Sequence, residues 1–201
     1  MKHLTKILPA LGDAGIGLIV SAIMLEWFQA PHTIWFIIWT VVWAYLPDLD
    51  GAFHFIKTGK AVADLENGRD HREGLHYPLM WSIFFVILFY LFGVNVWLIS
   101  ALVAIMLHFL HDMIGIGWGI QLFAPIDWGS YKFFSKKWVS ADVSLTPVVT
   151  RYSKEELRKA LIKYGEADWI ERYFCKWTHV SVVDYLLFMI GVISIYLAWF
   201  I

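Results

Sequence analysis

A single cysteine, Cys175, in 201 residues excludes an internal disulfide framework and a four-cysteine zinc site. Charge is scarce as well. Asp, Glu, Lys and Arg make up 16% of the chain and sum to a formal −1, which leaves no electrostatic footprint for a nucleic-acid partner and makes the placement of charge the informative quantity. From Tyr77 to Leu107 no such residue occurs for 31 positions. Repeats at solenoid periods and low-complexity tracts are also missing, so neither a repeat array nor a compositionally biased linker organises the chain. What is present is apolar: 59% hydrophobic and 18% aromatic residues, with a mean hydropathy of +0.60. That is far too apolar for an ordinary soluble domain, and the chain reads as a single all-α integral membrane protein.

Five apolar segments are predicted to span, at about 14–28, 33–46, 77–92, 96–114 and 182–201. Asp13 is placed to cap the first. Lys2 and Lys6 ahead of that segment imitate a secretory signal, but Ala30, the small residue near its end, precedes Pro31, and the segment reads as an uncleaved span. The second segment is short and ends at Pro47. As one helix, Tyr77 to Ile114 would be about 57 Å long against a hydrocarbon core of roughly 30 Å. It must fold back, and Gly93, Val94 and Asn95 supply the hairpin. Gly115, Gly117 and Gly119 then break the helix.

Residues 51–70 read as a polar loop and 115–181 as a cytoplasmic or interfacial insertion. In the insertion, 121–150 is aromatic and basic, which fits a membrane-surface segment or a solvated loop equally. Ser153 and Glu156 form a capping box that opens a charged helix, and 167–177 reads as an amphipathic helix. With five spans all 16 Lys and Arg residues fall on one side. The positive-inside rule makes that side, with the amino terminus, cytoplasmic, in a multi-pass protein of the inner membrane.

Acidic and imidazole groups collect where these spans meet water. Asp48 and Asp50 stand two apart after Pro47, and on an extended chain both would point to one side. His71 and His76 are five apart, about 140° on a helix, so one of them must lie off the helix, with Gly74 permitting a turn before Pro78. His108 and Asp112 are i and i+4 and share a helix face. An ionised carboxylate in a span costs about 2.5 to 3.5 kcal/mol at its centre, so Asp112 requires a partner. The six side chains Asp48, Asp50, His71, His76, His108 and Asp112 suit one or two divalent cations, with zinc, manganese and iron all matching mixed oxygen and imidazole ligation. Such a centre lowers the pKa of water toward neutrality and polarises an ester or phosphoryl oxygen, which points to hydrolysis. Arg72 is placed to clamp a phosphate or carboxylate and Glu73 to carry a proton, and an exposed ion pair explains these two equally well.

The ordered motifs PDLD (Asp48, Asp50), HREGLH (His71, Arg72, His76) and HFLHD (His108, Asp112), followed by GIGWGIQLFAP, resemble those of the predicted membrane-bound metal-dependent hydrolases of the YdjM-like type. The likeness covers roughly 45–125. It implies a metal-dependent hydrolase, for which zinc is the first choice of metal, and a site level with the headgroups and flanked by basic aromatic segments would admit a phosphoester or lipid-linked substrate. Glu73, Leu75 and Tyr77 depart from that family's usual glycine, threonine and serine. Two other classes explain buried Asp and His: a metal or proton transporter, although neither repeats nor broken mid-membrane helices are visible, and a non-catalytic scaffold whose metal stabilises helix packing.

Overall fold

The structure, a computed structural model, describes residues 8–58, 72, 74–134, 148–165 and 168–201. His71 and Glu73, and the charged residues Lys60, Asp64, Glu66, Arg69, Lys136 and Lys137, lie outside the described residues. The chain divides into two compact units, one made of 1–47, 82–108 and 168–201 and the other of 48–81 and 109–167.

In the first unit, helix α1 (Leu11–Phe28) packs against α2 (Ile34–Tyr45) and the last helix of the chain, α8 (His179–Phe200). Glycine makes the approach close. A Cβ on Gly15 would overlap the backbone of Leu187 in α8, one on Gly17 would lie 2.6 Å from the Cα of Val41 in α2, and one on Gly191 would lie 2.8 Å from the carbonyl oxygen of Gly15. Small residues at helix contacts are how apolar helices gain dispersion contact where burial from water drives little. Ile16, Val20, Met24, Leu25, Phe36, Ala44 and Ala104 form the buried core. The hydroxyls of Ser21 and Thr40 bond each other across α1 and α2, and the Trp39 indole donates to the Trp97 carbonyl at 2.9 Å, so these polar groups within the apolar bundle are paired.

The cap assignment for Asp13 is corrected: Ala10 is the N-cap of α1 and Asp13 lies inside its first turn. Thr33 caps α2 by accepting from the Phe36 amide at 3.3 Å. A 3₁₀ turn, Leu46–Asp48, joins α2 to α3 (Leu49–Thr58), so the start of the predicted polar loop 51–70 is helical. Pro47 does not extend the chain, because a proline in a first helical turn costs no hydrogen bond and the backbone continues helically. Gly93, at φ +71°, takes the left-handed turn that separates α4 (Pro78–Phe92) from α5 (Val96–Ile114). Toward the carboxyl end, the helical part of 167–177 is reduced to the short α7 (Trp169–Tyr173).

Among the described residues, three helices are long and apolar enough to cross a membrane: Leu8–Phe28, Val96–Ile114 and His179–Phe200. Of the five expected spans, the first, fourth and fifth have this length. The 12 residues of α2 and the 15 of α4 reach only about 18 and 22 Å at 1.5 Å per residue.

The second unit contains strands, which the all-α expectation omitted. β1 (Ser130–Phe133) pairs antiparallel with β2 (Val149–Tyr152), Ser130 opposite Tyr152 and Phe133 opposite Val149. Thr150 and Tyr152 are buried while Val149 and Arg151 face outward, the two-residue alternation of a half-covered strand. Tyr152 packs with Leu157 and Leu161 of α6 (Lys154–Tyr164) and with Trp118. The capping box of α6 is complete: the Ser153 amide donates to Glu156 at 2.8 Å and the Glu156 amide to the Ser153 hydroxyl at 3.3 Å.

Candidate metal centre

His76 lies just ahead of α4 and is fully buried. The loop that delivers it turns at Gly74, whose φ of +101° favours glycine strongly, and is pinned where the Trp81 indole donates to the Leu75 carbonyl at 2.7 Å. The Phe109 ring lies edge-on to the imidazole at 6.2 Å.

Three carboxylates surround that ring. Asp50 Oδ2 lies 2.9 Å from Nδ1, while Asp112 Oδ2 and Asp48 Oδ1 lie 3.2 and 3.4 Å from Nε2. Asp48 and Asp50 therefore address opposite nitrogens. Two positions apart on a helical backbone are about 200° apart, whereas the extended reading put both side chains on one side. Asp50 also accepts from the Gly51 amide at 2.6 Å, which fixes its carboxylate. One ligand atom each from Asp48, His76 and Asp112 falls within 4.8 Å of the others.

Burial acts to lower the pKa of His76, but the carboxylates of Asp112, Asp48 and Asp50 outweigh it and push the value well above the ordinary imidazole range. Carboxylates gathered round one buried ring call for positive charge, and His76, Asp48 and Asp112 are the residues that would hold a cation in the place of a proton. The donor set, imidazole nitrogen with carboxylate oxygens, fits a divalent metal ion.

Asp112 has a second charge partner. Arg72 donates to Asp112 Oδ1 at 2.9 Å and, through its other terminal nitrogen, to the Ile116 carbonyl at 3.2 Å. Gly117 makes room for this guanidinium, since a Cβ there would stand 2.6 Å from it. Lys132 of β1 is buried and donates to the Gly115 carbonyl at 2.5 Å. Both cations thus meet carbonyls just beyond the end of α5, where the helix dipole is negative.

His108 stands one turn before Asp112 on the same face of α5, as the i and i+4 spacing dictates. Its ring is buried and its Nδ1 lies 2.9 Å from Asp13 Oδ1. Sequence reasoning missed Asp13. At the mouth of an apolar segment it reads as a helix cap, and the available signal was that an acidic residue within an apolar segment needs a partner elsewhere in the fold.

These features define an integral membrane protein with a buried His and Asp group able to hold a metal ion. Residues 9–199 match the family model described as YdjM inner membrane protein, and the chain belongs to that family. None of the curated proteins and none of the solved structures matches it.

Proposed function

We propose that the protein is a membrane-bound metal-dependent hydrolase whose centre takes one divalent cation, zinc in the first place, on Asp48, His76, His108 and Asp112. The observation that carries this is the convergence of Asp48 and Asp112 on Nε2 of a fully buried His76, with His108 brought to the face of Asp112 by α5. Four donors of two oxygens and two nitrogens match tetrahedral zinc, and manganese or iron would accept the same atoms. A cation held there supplies a Lewis acid and acidifies water.

The remaining work falls to the chain. Asp50 holds Nδ1 of His76, so the ring presents Nε2 to the ion, and Asp50 is a positioning residue rather than a direct ligand. Arg72 fixes Asp112 and places a guanidinium beside the centre, where it favours an anionic substrate such as a phosphoester or a lipid-linked phosphate. His71 as a further ligand and Glu73 as a proton carrier complete the proposed catalytic set. For topology we favour α2 and α4 as short spans anchored by their aromatic ends, with the amino terminus cytoplasmic.

The test is metal analysis of detergent-purified protein, wild type against His76→Ala and Asp48→Ala, followed by phosphodiesterase and esterase assays. Close to one equivalent of metal in wild type, at least a tenfold loss in both variants and chelator-sensitive turnover are expected. Metal without turnover sinks the hydrolase and leaves the scaffold reading; movement of metal into proteoliposomes establishes transport instead. For orientation, the exposed thiol of Cys175 should react with an impermeant maleimide only from the cytoplasmic face.

A further inference from the structure

We infer that Asp13 is a positioning residue of the metal centre, setting the tautomer and the ring angle of His108. This rests on the metal reading of the site. Asp13 and His108 come from distant parts of the chain, yet both are buried, at 4% and 1% exposure, and their side chains meet at 2.9 Å. With the Asp13 carboxylate as acceptor, Nδ1 of His108 would carry the proton and Nε2 would be the nitrogen that binds a cation.

The same relation recurs at the other histidine. Asp50 Oδ2 meets Nδ1 of His76 at the same 2.9 Å, and the Nε2 side of that ring carries Asp48 and Asp112. Two imidazoles each held through Nδ1 by a carboxylate form the arrangement that orients metal-binding histidines and raises their basicity. A plain polar clasp between helices would require only one hydrogen-bonding pair of any type. The spacing of His108 and Asp112 on one face of α5 gives the Asp13 contact a purpose beyond packing.

The experiment titrates cobalt(II) and zinc into chelator-stripped full-length protein in detergent, with affinity, the cobalt absorption spectrum and the thermal midpoint read for each variant. Asp13→Ala should weaken binding by about 10- to 100-fold and alter the cobalt spectrum. In Asp13→Asn the amide oxygen still accepts from Nδ1 but carries no charge, so a smaller loss is expected; this near-isosteric variant also answers if the alanine variant does not fold. Ser21→Ala, which removes a polar contact elsewhere on α1, should lower the thermal midpoint without changing affinity. If His108→Ala abolishes binding while both Asp13 variants bind like wild type, the inference is overturned and the metal centre stands. Wild type that takes up neither ion overturns the metal reading itself, and the inference with it.

Discussion

The two compact units hold themselves together by different means. The first relies on backbones that touch: Gly15, Gly17 and Gly191 bring α1 to α2 and α8 at distances that leave no room for a methyl group, with the neutral pair Ser21 and Thr40 and the buried pair Asp13 and His108 set among them. The second relies on opposed charges and capped chain ends: Arg72 on Asp112, Lys132 on the Gly115 carbonyl, Arg151 on Asp127 and Ser153 on α6. The contrast teaches where each kind of mutation will be felt. Added volume should be ruinous in the first unit, and removed charge should matter in the second in proportion to burial.

Gly15→Leu should have the largest effect, a destabilisation of about 3 kcal/mol or more, seen as loss of a monodisperse peak and of a cooperative melt in detergent. A variant that melts like wild type would remove close approach as the organising feature of that unit. Arg72→Ala comes next, at about 2 kcal/mol in thermal unfolding, because Asp112 loses one of its charge partners in a site where both side chains are only 13% and 11% exposed. Arg72→Lys should recover only part of this, since a single ammonium cannot span Asp112 and the Ile116 carbonyl together.

Ser153→Ala should cost about 1 kcal/mol, and hydrogen exchange should locate the change in the first turn of α6. The smallest effect belongs to Arg151→Ala. The hydrogen bond from Arg151, joined by Tyr131 and the Gly129 amide, holds the Asp127 carboxyl far below its usual range. A lowered folded-state value stabilises above the ordinary carboxylate range of about 4 and is lost as pH falls from there. Wild type should therefore lose slightly more stability than the variant on acidification from pH 5 to 3. Equal slopes would mean that solvent screening leaves this exposed pair without measurable weight.

Legibility in the sequence followed the range of the interaction. The α6 cap could be read because Ser153 and Glu156 are three residues apart and the motif is local. Membrane character and the turn at Gly93 followed from apolar length alone, a property independent of packing. The sheet was opaque: β1 is four residues of mixed aromatic and basic character, and its partner begins beyond residue 148, so neither a hairpin signal nor a long alternation marks it. At the site, residue types and the i and i+4 pair on α5 were visible, whereas the division of labour was not. Asp48 and Asp50 were read on an extended chain, and only a helical backbone sends them to opposite nitrogens of His76. Asp13, 95 residues from His108 in sequence, had no local signature to distinguish it from a cap.

The ammonium of Lys132 on the Gly115 carbonyl has a mechanical consequence. The final turn of α5, which carries Asp112, would otherwise fray at its glycine-rich exit, and a strand side chain anchors it from outside the helix. Removing that anchor with Lys132→Met should raise amide exchange over 112–116 while leaving the apolar body of α5 protected. The small sheet thus works as a stay for the helix end, keeping the Asp112 carboxylate in register with its neighbours.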